Sequence, residues 1–189
     1  MLGRLPDSRR VWLPGGRAPR ATEVFRNPEF AATLRTIAGE GYDAFYTGPI
    51  AARIAAAVRD DGGVLTADDL AAYRAEWVEP LAVPYGHSYA FHEIPPNGQG
   101  LAALLALNIA RGFDLPAVAY GSADYYHILI EAMKLAFADA HAYVGDPRRV
   151  EVPVAGLLSQ RYARERRALI AGDRALDPPP GRPPRDGDT

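Results

Sequence analysis

The chain has 189 residues, 48% of them hydrophobic and 23% charged, with a formal net charge of −2 and no cysteine. That composition fits one ordinary globular domain with a real core, and it lacks the basic surplus of a general nucleic-acid or membrane-surface binder. The missing cysteine excludes disulfides, thiolate metal sites and a cysteine nucleophile. No segment approaches the roughly 18–20 apolar residues that span a bilayer. The charged N-terminus has no apolar run behind it, unlike a secretory signal. As it stands the sequence reads as cytoplasmic, with no membrane or nucleic-acid partner.

Residues 1–26 contain three prolines and several glycines without helical or strand period, and read as a loop or frayed lead-in. Order is expected from Asn27-Pro28-Glu29, an N-cap followed by proline at the first helical position and an acid in the first turn. Phe30, Leu34, Ile37 and Ala38 keep helical spacing until Gly39 and Gly41. A second helix is predicted from about Pro49 to Arg59, with Ile50, Ile54, Ala57 and Val58 on one face and Gly62-Gly63 after it. Thr66-Ala67-Asp68-Asp69 carries the spacing of a capping box, with Leu65 and Leu70 placed as a hydrophobic staple.

From Val78 to Ile94 the pattern changes to two strands joined by a turn near Tyr85-Gly86-His87-Ser88, with Pro84 indicating an edge or irregular strand. Leu101 to Ile109 is apolar nearly all round and predicts a buried helix ended by Gly112. Another helix runs from an N-cap at Ser122 to about Tyr143, stopped by Gly145-Asp146-Pro147. A last helix is expected over 157–170, with Arg161, Arg164, Arg166 and Arg167 on a mostly solvated surface. The body thus spans 27–176, and the Pro-rich tail 177–189 has no core-forming residue and reads as extended or disordered. The fold class is α+β, mainly helical with one hairpin. A two-stranded ribbon is marginal in water by itself, which hints at a missing partner sheet.

Three constellations could carry chemistry. Gly98-Gln99-Gly100-Leu101-Ala102-Ala103 matches a dinucleotide-loop pattern, but Pro95-Pro96 separates it from the strand and no second parallel strand follows. A tight turn that lets a helix pack closely is the better reading, and no cofactor is expected. Asp124, His127 and Glu131 fall at i, i+3 and i+7 on a helix and could hold a metal. Zinc would ask for a further ligand, and a His127–Glu131 ion pair is preferred, so no metal is expected. Glu131, Lys134 and Asp139 interrupt an otherwise apolar helix. Buried polar groups are costly unless paired, which favours structural pairing over catalytic use. No serine stands in a G-x-S-x-G context, and Ser122 and Ser159 fit helix starts.

Five runs taken together resemble one family. They are Asn27-Pro28-Glu29-Phe30-Ala31-Ala32-Thr33-Leu34, Gly41-Tyr42-Asp43-Ala44-Phe45-Tyr46-Thr47-Gly48, Gly62-Gly63-Val64-Leu65-Thr66-Ala67-Asp68-Asp69-Leu70, Glu93-Ile94-Pro95-Pro96-Asn97-Gly98-Gln99-Gly100 and Glu131-Ala132-Met133-Lys134-Leu135-Ala136-Phe137-Ala138-Asp139. In order and spacing they are similar to the C-terminal half of the large subunit of the gamma-glutamyltransferase (glutathione hydrolase) family. The resemblance implies a precursor that cuts itself and belongs among N-terminal-nucleophile hydrolases with a four-layer αββα sandwich. It also implies attack of a newly exposed threonine on a γ-glutamyl amide such as glutathione. The γ-glutamyl ester would then pass to water or to an amino-acid or peptide acceptor.

Under this resemblance Gly187-Asp188-Thr189 is similar to the processing junction. Asp188–Thr189 is the implied scissile bond and Thr189 the implied catalytic nucleophile. The implied partner is the small subunit of the same precursor. Substrate-binding residues are not carried onto the sequence, and the chain by itself is expected to be inactive. Two other readings stay open: a non-catalytic packing or partner module, and an acylase of the same fold acting on other acyl amides.

Overall fold

A computed structural model describes residues 2–86 and 88–184. Residues 1–76 and 77–189 form two compact units, where length alone predicts one.

The first unit is helical. Pro6–Trp12 forms α1 inside the stretch that reads as a loop in sequence. Its proline at the first helical position starts the helix where no polar cap is present. The helix α2, Pro28–Glu40, begins as its sequence predicts, with Asn27 Oδ1 accepting the Phe30 N–H at 2.9 Å. Gly41 ends α2 at φ 82°, a left-handed conformation that suits glycine. A short helix without a sequence expectation, α3 (Tyr42–Tyr46), follows at once.

The next helix, α4, spans Pro49–Asp60 and buries Ala51 and Ala55. The α5 helix, Ala67–Ala72, carries the full capping box: Asp69 N–H donates to Thr66 Oγ1, and Thr66 N–H donates to Asp69 Oδ2 at 2.8 Å. The buried residues here are the small alanines Ala44, Ala51 and Ala55, and at the surface the Tyr46 ring stacks 4.5 Å from Tyr42 and 5.1 Å from Tyr73. Phe30 and Leu34 on α2 remain exposed.

The second unit holds the main core. Strands β1 (Leu81–Tyr85) and β2 (Tyr89–Glu93) pair antiparallel, with Leu81 opposite Glu93 and Tyr85 opposite Tyr89. The hairpin is shorter than expected, and the expected turn residue His87 lies outside the described residues. Helix α6 (Gly100–Ala110) packs on both strands, and Arg111 Nη1 donates to the Pro84 carbonyl at 2.7 Å. This packing supplies what the ribbon lacks by itself.

Leu101, Leu104, Leu105 and Ile109 of α6 are fully buried, as the all-round apolar pattern predicts. Helix α7, Ala123–Tyr143, lies along α6 and starts at Ser122, whose Oγ accepts the Tyr125 N–H. The expected helix over 157–170 is shorter, α9 (Gln160–Arg167), and a separate short helix α8 (Val154–Leu157) precedes it. Ser159 takes an extended backbone and caps α9 by accepting the Tyr162 N–H, which interrupts the run. Among the described residues, no helix is long and apolar enough to cross a membrane.

Candidate functional site

The most organised polar region of the second unit lies where the C-terminal segment crosses α7 and α9. Residues 171–184 run without helix or strand after α9, and they are anchored rather than free. Of the two readings of the tail beyond residue 177, extended or disordered, the extended one holds as far as Pro184: it is a strap whose hydrogen bonds come from side chains of α7 and α9.

The anchors on α7 recur at multiples of four. His127 Nε2 lies 2.7 Å from the Ala171 carbonyl. Glu131 Oε2 accepts the Leu176 N–H at 2.9 Å, Asp139 Oδ1 accepts the Gly181 N–H at 2.7 Å, and the Tyr143 hydroxyl donates to the Gly181 carbonyl at 2.6 Å. A step of four residues turns about 40° around a 3.6-residue helix, so the anchors wind along α7 and the strap crosses it obliquely. All these contacts are to strap backbone.

Glu131 and Asp139 are buried, 2% and 0% exposed, and each is compensated. Burial pushes the Glu131 carboxyl up, but the Lys134 ammonium, the Leu176 N–H and the positive side of His127 together hold it below its usual range. Lys134 Nζ donates to Glu131 Oε1 at 2.9 Å. The structural pairing expected of Glu131 and Lys134 is present, whereas the ion pair expected between His127 and Glu131 is replaced. His127 takes a strap carbonyl, which its position one turn earlier on α7 makes reachable.

Asp139 faces α9. Its Oδ2 lies 3.1 Å from Arg166 Nε, with both side chains buried. Arg166 Nη2 also donates to the Leu135 carbonyl at 3.3 Å and the Pro179 carbonyl at 3.0 Å. Arg166 is thus not on the solvated surface expected for the α9 arginines. A buried carboxylate and two carbonyls draw its guanidinium inward, and its fork can serve all three. Beside it the Tyr162 hydroxyl is buried against the Asp139 carboxylate. Burial, then the Asp139 charge, push its pKa up and keep the phenol neutral.

Two glycines admit the strap. A Cβ on Gly181 would stand 2.2 Å from the Tyr162 hydroxyl oxygen and 3.0 Å from Arg166 Cδ. A Cβ on Gly156 of α8 would stand 1.9 Å from the Pro184 carbonyl oxygen. A cavity of about 490 Å³ lies beside this end of the strap, bordered by Tyr143, Glu151, Arg182 and Pro184 among others.

The remaining sequence candidates separate. Asp188 and Thr189, the implied scissile bond and nucleophile, lie outside the described residues. Asp124 does not join His127 and Glu131, and among the described residues no three such side chains are gathered for a metal. In the Gly98–Ala103 turn, a Cβ on Gly100 would meet Glu93 Oε2 at 2.7 Å, so that glycine serves the close approach of α6 to β2. Tyr143, Tyr162, Arg166 and Gly181 carry no sequence signal of their own. The available signal was the pair of acids at 131 and 139 within an apolar helix, which demanded partners from elsewhere.

Comparison with known proteins agrees with the resemblance in the motifs. Residues 1–189 match the gamma-glutamyltranspeptidase family. The chain is 38% identical over 165 residues to the glutathione hydrolase-like YwrD proenzyme of Bacillus subtilis, a match covering 87% of this chain and 31% of the relative. It is also 38% identical to the acylase ACY 1 proenzyme of a Pseudomonas species, over 92% of this chain and 31% of that one. The chain therefore spans about a third of the length of these curated relatives.

Among solved structures, a cephalosporin acylase from Bacillus halodurans shares 49% identity with a TM-score of 0.76, covering 93% of this chain and 32% of that one. The Helicobacter pylori gamma-glutamyltranspeptidase shares 30% identity with a TM-score of 0.73, covering 93% and 50%. The fold of this chain, mainly helical with one antiparallel hairpin, is thus matched over 93% of its length in both neighbours. On the match across its whole length, the chain belongs to the gamma-glutamyltranspeptidase family.

Proposed function

We propose that these residues are the large-subunit segment of a self-processing γ-glutamyl amide hydrolase or transferase, cut between Asp188 and Thr189. The observation that carries the reading is the family match over residues 1–189, together with relatives named as proenzymes. The hairpin would form part of an αββα sandwich completed by the small subunit. Expressed alone, residues 1–189 are expected to give no turnover.

In this reading the Thr189 hydroxyl oxygen attacks the Asp188 carbonyl carbon. The C–N bond breaks as a C–O ester forms, and the hydroxyl proton passes to the released amine. Water then hydrolyses the ester to an Asp188 carboxylate and a free Thr189 hydroxyl. The new α-amine of Thr189 becomes the base that takes the hydroxyl proton when its oxygen attacks a γ-glutamyl amide. It returns the proton to the leaving amine, and the glutamyl ester passes to water or to an amino-acid or peptide acceptor. No separate histidine is required.

A second reading changes only the acyl group. The 49% identity to a cephalosporin acylase favours amides whose acyl chain lacks the α-amino group of glutamate, such as glutaryl amides. The product of the complete reading frame that contains these residues, assayed on γ-glutamyl and glutaryl p-nitroanilides, separates the two. Faster turnover of the first supports the γ-glutamyl reading, and faster turnover of the second supports the acylase. No cleavage into two chains with Thr189 at a new N-terminus would defeat both.

A further inference from the structure

We propose that β2, and not β1, is the edge on which the hairpin sheet grows. The outward N–H and C=O groups of Ala90 and His92 pair with an extended strand from polypeptide outside residues 1–189. The inference rests on the αββα part of the proposed function, and it is independent of where the precursor is cut and of what it acts on.

The backbone of the hairpin separates the two edges. In an antiparallel pair, facing residues alternate between those that exchange both hydrogen bonds and those whose N–H and C=O point away from the partner strand. Pro84 faces Ala90 and has no N–H to exchange, and its carbonyl accepts from Arg111 Nη1 at 2.7 Å. Pro84 and Ala90 are therefore an outward-pointing pair, and so are Ala82 and His92 two residues along. The outward row of β1 is blocked at Pro84, where the proline supplies no donor and Arg111 takes the acceptor. Proline on an edge strand is a common block to further pairing. Strand β2 carries no proline, and among the described residues the sheet has two strands.

The side chains point the same way. Val83 faces Phe91 and Tyr85 faces Tyr89, so these four side chains share one face of the hairpin. In each pair the β2 member is the more exposed: 46% for Phe91 against 2% for Val83, and 77% for Tyr89 against 41% for Tyr85. A strand added to β2 sets every second side chain on this face, beside Phe91 and Tyr89. The occupant is therefore a strand with apolar residues at alternate positions. The chain spans 31% of two curated relatives and 50% of the Helicobacter pylori chain, so these relatives have length for such a strand outside the matched part.

The test is hydrogen–deuterium exchange resolved to single amides, on the 189-residue chain and on the product of the complete reading frame. The Ala90 and His92 amides are expected to exchange about tenfold or more slowly in the complete product, while the Ala82 amide stays fast in both. Proline substitutions give a second readout. Ala82→Pro and Ala90→Pro each remove one outward N–H and no bond between β1 and β2, so similar costs are expected in the 189-residue chain. In the complete product Ala90→Pro is expected to lower the thermal midpoint by several degrees more than Ala82→Pro does.

Slow exchange at Ala82 in place of Ala90 and His92 means the wrong edge, and fast exchange at all three means no added strand; either overturns the inference. Slow exchange of Ala90 and His92 in the 189-residue chain itself, deepening with its concentration, makes the occupant a second copy and also overturns it. A complete product that is cut and active with Ala90 and His92 still fast leaves the enzymatic reading standing without this inference. One that protects both amides but is neither cut nor active leaves strand addition standing without that reading.

Discussion

Replacing Arg166 with methionine isolates the energetics of the strap anchor. The substitution keeps an unbranched stem of similar reach but removes the guanidinium, and with it the bonds to the Leu135 and Pro179 carbonyls. It also strips the Asp139 carboxylate, 0% exposed, of its cationic partner while leaving the Gly181 N–H in place. Breaking one partner of a buried pair typically costs about 3–5 kcal/mol, because the remaining charge is left uncompensated.

In a chain whose total stability is of the usual order of about 5–15 kcal/mol, that loss is large. Adding Asp139→Asn removes the stranded charge while keeping an amide oxygen for the Gly181 N–H. The double variant is therefore expected to be more stable than Arg166→Met alone by about 2 kcal/mol or more, a non-additive result for residues in contact. Urea unfolding of the 189-residue chain and its three variants, monitored by circular dichroism, measures the cycle. An Arg166→Met chain within about 0.5 kcal/mol of the parent, the scale of ordinary surface changes, would refute the reasoning. So would strict additivity in the double variant.

Two further outcomes are expected. Glu131 is held below its ordinary value of 4.5 in the folded chain, so its contribution is complete above about pH 4.5 and disappears as pH falls through the lower, folded value. The Leu176 amide chemical shift should report that loss on acidification, and Glu131→Gln should flatten the titration; a Leu176 shift indifferent to Glu131→Gln contradicts the contact. Leu105 lies in the core cluster with Leu101, Ala136, Leu157 and Tyr162. Leu105→Ala should cost about 2–5 kcal/mol in urea unfolding, and a cost under about 1 kcal/mol would show that the site collapses around the smaller side chain.

Local chemistry was sufficient for much of the fold. Asn27-Pro28 started α2, the Thr66/Asp69 box started α5 and Ser122 started α7, because a cap acts on amides within the next few residues. The apolar periodicity of α6 sufficed to bury it. Motif order over five runs sufficed for the family.

The strap, by contrast, is invisible to such signals. A proline-rich segment has no internal hydrogen bonds and no period. Its partners lie 45 residues away at Glu131, 42 at Asp139 and 38 at Tyr143. The inward turn of Arg166 likewise arises from a carboxylate and two carbonyls that meet only when α7, α9 and the strap are assembled. Sequence alone determined which helices form and that two acids in α7 needed partners. Tertiary structure decided who those partners are, since desolvated charge takes whichever donors the packed chain brings within reach.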